Sequence, residues 1–409
     1  MSHAPSPAHD SAYSWTRLAI TLLIAATGNV GMWAVITLMP AMQAEFAVDR
    51  ADASLPYTLT MLGFALGNLA IGKAVDRFGI TASLIGAAAV IGLGFALSAL
   101  APSILLVSLI HAAIGFGTAA SFGPLIADIS HWFLRRRGIA VAIAASGNYI
   151  SGAFWPWALS GLLAAQGWRM VYLALAVVVV AVVVPLALLL RRRLPEEASL
   201  AADTASAART ASVGLPHRTL ALLLGLAGIG CCVAMSMPQV HIVSYCADLG
   251  YGPAAGAQML SLMLLGGVAS RLVSGLVSDR LGGVRTVLLG SVLQCIGLAL
   301  YLPWDGLASL YTISLVFGLA QGGIVPGYAI IVREYMPARA AGTWVGFVMM
   351  ATVLGMALGG WMSGWIYDVT GSYRAAFWNG IVWNLANILI LATILMRTRA
   401  PRTPAGAPA

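Results

Sequence analysis

Charge is scarce in this chain. Lys, Arg, Asp and Glu together make up 9% of its 409 residues, and 60% are hydrophobic. A soluble globular domain carries about 25% charged residues, so this composition excludes a water-soluble fold. Cysteine is nearly absent too. The four present (Cys231, Cys232, Cys246 and Cys295) all fall in apolar runs, which argues against a disulfide framework and for small core residues. The sequence holds no H-E-x-x-H, C-x-x-C or G-x-S-x-G, and no apolar run carries paired carboxylates. No enzyme activity, cofactor or metal site is expected.

What fills the chain is apolar sequence, with a mean hydropathy of +0.89. Runs near the ~20 residues that cross a bilayer lie at 17–40, 54–72, 80–101, 104–130, 138–164, 170–190, 219–247, 254–277, 284–303, 307–332, 342–366 and 374–396. These predict an all-α integral membrane protein with twelve transmembrane helices. The first run is too long for a cleaved signal peptide and has no small-residue cleavage site.

A net charge of +8 raises the question of nucleic acid, but its placement answers it. With twelve crossings and the N-terminus inside, 18 of the 22 Lys and Arg fall in the tails and even-numbered loops. Arg50, Arg169 and Arg374 lie on the other side, and Arg271 lies within a span. This bias predicts cytoplasmic termini in a multi-pass membrane protein, with the lipid bilayer as partner and no nucleic acid. A bacterial inner membrane suits the lack of targeting segments.

One polar stretch, "RRRLPEEASLAADTASAARTASVGLPHR", interrupts the pattern at 191–218 and reads as a cytoplasmic linker. The expected organisation is an N-tail at 1–16, a six-helix bundle at 17–190, this linker, a second bundle at 219–396 and a C-tail at 397–409. The bundles resemble each other. "GKAVDRFG" at 72–79 recurs as "GLVSDRLG" at 275–282, an offset of 203, and "RRRGIAVAIAASG" at 135–147 is echoed by "RAAGTWVGFVMMA" at 339–351. Two pseudo-symmetric six-helix bundles are the mark of a secondary transporter with its site at the midplane between halves.

"GNLAIGK" at 67–73 matches the opening of a phosphate-binding loop, but Ala74 stands where Ser or Thr would ligate magnesium and an apolar helix precedes it. Helix packing by glycine explains it better.

The paired G-x-x-x-D-R-x-G loops resemble the signature of the major facilitator superfamily, which implies that fold. In that family the motif governs conformational switching, so Asp76, Arg77, Asp279 and Arg280 become gating candidates. "HWFLRRRGIAVAIAASGNYISG" at 131–152 looks like the fifth-span signature of monocarboxylate transporters and oxalate/formate antiporter relatives. "HIVSYCADLG" at 241–250 and "FGLAQGGIVPGYAIIV" at 317–332 resemble their seventh and tenth spans. Two features depart from the pattern. The acidic-Gly-Gly-aromatic signature before the first span is missing, with "GNVGMW" at 28–33 at most a remnant, and Gly267 stands where animal-type carriers place an aspartate four residues before the eighth-span arginine.

Arg271 is that arginine. It lies ~12 Å along the helix from Asp279 at ~1.5 Å per residue, and a central arginine costs roughly 2.5–3.5 kcal/mol on insertion scales. Two readings stay open. Its planar fork suits a carboxylate bidentately, or it belongs to a buried ion pair or gate. Asp128, near the end of the fourth span, is the one carboxylate inside a span. The eleventh span, 342–366, has no Lys or Arg. Dicarboxylate exchangers resembling the oxalate carriers place a second cation there, so one fixed charge favours a monocarboxylate.

His241, in the outer third of the seventh span, is a candidate proton carrier and substrate contact, or a neutral packing histidine. His111, Gln321, Tyr328, Asn29, Asn148 and Tyr149 are polar groups at membrane depth that line a cavity or bond neighbouring helices. Trp33, Trp155, Trp157, Trp361 and Trp365 shape an apolar pocket or mark interfaces. Together these features predict a monomeric, proton-coupled symporter of a lactate- or pyruvate-like monocarboxylate. An oxalate/formate-type anion exchanger is the alternative, followed by a drug exporter.

Overall fold

The computed structural model describes residues 10–133, 136–192, 215–336 and 338–397. Most of the expected tails and of the linker at 191–218 lies outside them. Every regular element among the described residues is helical: α1 Ala12–Gly28, α2 Val30–Phe46, α3 Arg50–Phe78, α4 Ile80–Leu100, α5 Ile104–Thr118, α6 Gly123–Trp132, α7 Arg137–Leu189, α8 His217–Asp248, α9 Pro253–Leu281, α10 Gly283–Leu300, α11 Leu307–Gln321, α12 Ile324–Tyr335, α13 Ala338–Thr370 and α14 Tyr373–Arg397. In a bilayer only helices that bond their own backbone can cross without a partner.

Ten stretches of this set are long and apolar enough to cross a membrane. The 53-residue α7 reverses at Gly167 (φ 78°, ψ 171°), which makes it two crossings. The 29-residue α3 completes the twelve. It is more polar than the others and packs against α13 of the other half, as well as against α5 of its own.

The first span is longer than the sequence indicates. Helix α1 starts at Ala12, capped by the Ser11 hydroxyl, which accepts from the Ser14 amide at 3.2 Å. Tyr13 packs on Trp132 and Trp15 on Phe133, with ring centroids 5.1 and 5.0 Å apart. These aromatic pairs hold an extra helical turn onto the bundle.

The internal repeat extends to the backbone. Gly79 (φ 83°, ψ 163°) and Gly282 (φ 80°, ψ 164°) adopt the same turn, 203 residues apart. Each amide bonds back one turn, Gly79 to Val75 at 2.8 Å and Gly282 to Ser278 at 2.9 Å. The hydroxyls of Ser83 and Thr286 close both turns on the glycine carbonyls at 3.0 and 2.9 Å. A β-carbon at either glycine would be strained at such positive φ. The fourth and tenth spans break at matching places, after Thr118 and after Gln321. Their closest crossings match too: a Cβ on Gly115 would strike the Thr60 carbonyl, and one on Gly318 the Met263 carbonyl. The end of the bundle where α1 begins and α14 ends is the terminal face, and the opposite end the distal face.

Candidate functional site

Arg271 is buried on α9 between the halves. Its Nε donates to the Gly322 carbonyl at 3.2 Å, and Nη1 donates to the Ala145 carbonyl at 2.6 Å. The first acceptor exists because the tenth span breaks there, which frees a carbonyl from the helical ladder. The guanidinium carbon lies 4.1 Å from the centroid of the Tyr149 ring, a cation–π stack. Gly267, one turn earlier on α9, makes room for that ring: a Cβ there would lie 2.7 Å from its edge. Among the described residues no carboxylate lies within ion-pair distance of Arg271.

Asp128 is committed elsewhere. It forms a bidentate pair with buried Arg17, Nε to Oδ2 and Nη2 to Oδ1, both at 2.8 Å. The Nη1 of Arg17 also donates to the carbonyls of Leu190 and Arg192 at 3.1 Å each.

Trp33 meets the Tyr149 ring edge-on, at 6.5 Å between centroids. The Trp33 indole nitrogen and the Tyr57 hydroxyl are buried without a hydrogen-bond partner. Gln321, the residue before the Gly322 acceptor, is paired with Gln239 of α8, whose Nε2 donates to Gln321 Oε1 at 3.0 Å. Arg271 and Tyr149 therefore form one stack, and Gln321 adjoins it through the Gly322 backbone.

Other sequence candidates have their hydrogen-bonding groups engaged by other partners. Asn29 occupies the α1–α2 joint, where its Nδ2 donates to the Ala25 and Ser121 carbonyls at 2.8 and 3.1 Å. Asn148 donates to Asn29 Oδ1 at 3.2 Å, so these two form a knot between helices. Tyr328 donates to Asn387 Oδ1 at 2.7 Å, within a network that includes Ser291 and Asn384. His111 donates from Nδ1 to the Val107 carbonyl at 2.9 Å, which leaves Nε2 to accept from the Tyr172 hydroxyl at 2.9 Å.

His241 enters a network that the sequence did not reveal. Its Nε2 donates to the Gly360 carbonyl at 2.7 Å, so Nδ1 accepts from the Tyr373 hydroxyl at 3.0 Å. That hydroxyl in turn accepts from Arg50 Nη1 at 2.9 Å. Arg50 Nη2 pairs with Asp248 at 3.0 Å, and its guanidinium carbon stacks 4.7 Å from the Tyr367 ring centroid. The carboxylate of Asp368 accepts from the backbone amides of Arg50 and Ala51 at 2.9 and 2.7 Å, capping α3 from the other half. Arg50 thus ties α3 to α8, α13 and α14 at the distal face. The signal available in the sequence was that Arg50 is one of three cations breaking the charge bias.

Of the gating candidates, Arg77 and Arg280 are exposed in the last turns of α3 and α9. The side chains of Asp76 and Asp279 lie outside the described residues. Beside the second loop, Glu334 accepts from the Gly283 amide with both oxygens at 3.0 Å. Burial raises its carboxyl above the ordinary range, against the pull of that amide.

The described helices, the repeated turns and a buried arginine between halves define a multi-pass membrane protein of two pseudo-symmetric six-helix bundles. The sequence matches the Major Facilitator Superfamily over residues 21–283 and 222–409, and the chain belongs to it. It is similar to monocarboxylate transporter 13 of Rattus norvegicus, 28% identical over 68% of this chain and 65% of that protein, so the match spans slightly under two thirds of that relative. Monocarboxylate transporter 11 of Homo sapiens is 27% identical over 92% of this chain and 82% of its own length. Among solved structures, a bacterial homologue of the human lysosomal transporter Spinster, inward-facing and occupied, superposes with a TM-score of 0.74 at 15% identity, covering 99% of this chain and all of that one.

Proposed function

We propose that this protein is a secondary active transporter of a small monocarboxylate, lactate- or pyruvate-like, moved with a proton by alternating access. The observation that carries the reading is Arg271: a buried guanidinium held by two carbonyls and a ring, with no carboxylate at ion-pair distance among the described residues. Two carbonyls orient the fork without neutralising it, and an anion supplies the missing charge.

The distal network gives the coupling a route. Neutral His241 accepts the Tyr373 O–H, and Tyr373 accepts from Arg50. A proton on Nδ1 turns His241 into a donor at that position, so the Tyr373 hydroxyl has to reorient and its bond to Arg50 weakens. The groups facing this relay are Arg50 of α3, Asp248 of α8, Tyr367 and Asp368 of α13 and Tyr373 of α14. In this reading both termini are cytoplasmic, the distal face is external, and the Arg50 cluster is the external latch. The 72–79 and 275–282 loops act at the cytoplasmic face.

The test is radiolabelled lactate uptake into proteoliposomes at varied pH, with Arg271→Lys alongside. Uptake driven by an inward proton gradient and lost in the variant supports the reading. Full uptake by Arg271→Lys removes the bidentate role. Uptake that needs internal anion and ignores the proton gradient assigns the protein to the exchangers.

A further inference from the structure

Gln239 and Gln321 are both fully buried, and their amides bond each other across α8 and α11 at 3.0 Å. That single bond consumes one N–H and one carbonyl. Gln239 Oε1 and Gln321 Nε2 are left buried with no partner. Which oxygen and which nitrogen remain depends on how the amides are oriented, but reversing both leaves the same set, one acceptor and one NH2 donor. Buried polar atoms in native proteins are almost always paired, so an orphaned donor and acceptor on one bonded amide pair require an explanation.

The pair is linked to Arg271 through the backbone of α11. Gln321 immediately precedes Gly322, whose carbonyl takes the Arg271 Nε–H at 3.2 Å. Gly322 also packs directly on the backbone of Gly267, one turn from Arg271. Gln321 thus adjoins, along the chain, the residue that anchors the Arg271 guanidinium.

We propose that Gln239 and Gln321 read a hydroxyl group close to the carboxylate of the transported acid, making the site selective for hydroxy acids. The inference rests on the monocarboxylate reading of Arg271. A hydroxyl gives its hydrogen to the free amide oxygen and takes one from the free NH2, satisfying both orphans at once. A keto oxygen takes but gives nothing and leaves the amide carbonyl unpaired. A second carboxylate would face that carbonyl with like partial charge. An alkyl group satisfies neither atom. Sites built to bond a hydroxyl discriminate strongly against analogues lacking it, because their own buried groups are then stranded.

Labelled lactate and labelled propanoate uptake in proteoliposomes, each competed by unlabelled lactate, pyruvate and propanoate, tests this. The wild type is expected to prefer lactate over both others by at least tenfold. The double variant Gln239→Leu/Gln321→Leu, which removes both amides together and strands neither, is expected to lose that preference, lactate uptake falling and propanoate uptake rising toward it. Equal competition by the three acids in the wild type overturns the inference alone, whatever the variant does. Parallel loss of lactate and propanoate uptake in the double variant also overturns it. If neither acid shows Arg271-dependent uptake, the monocarboxylate reading falls and this inference falls with it.

Discussion

Arg271 on α9 donates to the main-chain carbonyl of Ala145 on α7 at 2.6 Å, across the boundary between the two halves. A carboxylate that claims this fork competes with a bond that holds the halves together. In the proposed function, ligand binding and the separation of α7 from α9 are linked through one guanidinium edge.

Replacement of Arg271 by lysine keeps the charge and loses the fork. A charge-assisted hydrogen bond contributes about 1.5–3 kcal/mol, so carboxylate affinity is expected to fall about 10- to 100-fold. Competition binding against labelled lactate measures this, and an unchanged affinity refutes it.

Arg50→Gln removes the Asp248 pair and the cation stacked on Tyr367. Asp248 is partly exposed, so the pair is discounted to about 1 kcal/mol, a roughly fivefold shift toward conformations open at the distal face. Maleimide labelling of Ala51→Cys in membranes should quicken by about that factor in the Arg50→Gln background.

His241→Gln preserves a hydrogen-bonding side chain but cannot carry a proton near neutral pH. Uptake is expected to persist and to lose its dependence on an imposed proton gradient. An unaltered pH profile would assign the proton to another group.

The repeated glycine crossings make a paired prediction. Gly115→Ala and Gly318→Ala each drive a methyl into a backbone carbonyl of the neighbouring helix, and overpacking costs typically 1–3 kcal/mol. Thermal unfolding in detergent should drop for both by similar amounts, whereas Gly161→Ala, which meets nothing within 4 Å, should change little.

Much of this architecture could be read from the chain, because lipid imposes simple rules. Spans follow from apolar length, and the repeat follows from the G-x-x-x-D-R-x-G loops, whose glycines hold nearly identical dihedrals. Arg271 stood out because a charge in an apolar run is rare. Gln239 and Tyr373 did not, since a glutamine or tyrosine in a span is common and its meaning lies in which neighbour it meets. The role of Arg50 depends on Asp248, Asp368 and Tyr373, some 200 to 320 residues away in sequence, and no local pattern encodes such a meeting. His241 was legible as a polar group and illegible as a link to Arg50.

The Arg17 clamp bears on how the protein is made. Arg17 lies on α1, yet its partners are Asp128 in the fourth span and the carbonyls that end the sixth. Until the sixth span is synthesised, that guanidinium lacks its full set of acceptors. The clamp thus joins an early helix of the first bundle to a late one and takes no partner from the second bundle. A chain ending at residue 215 and released from the ribosome should already form the Arg17–Asp128 clamp.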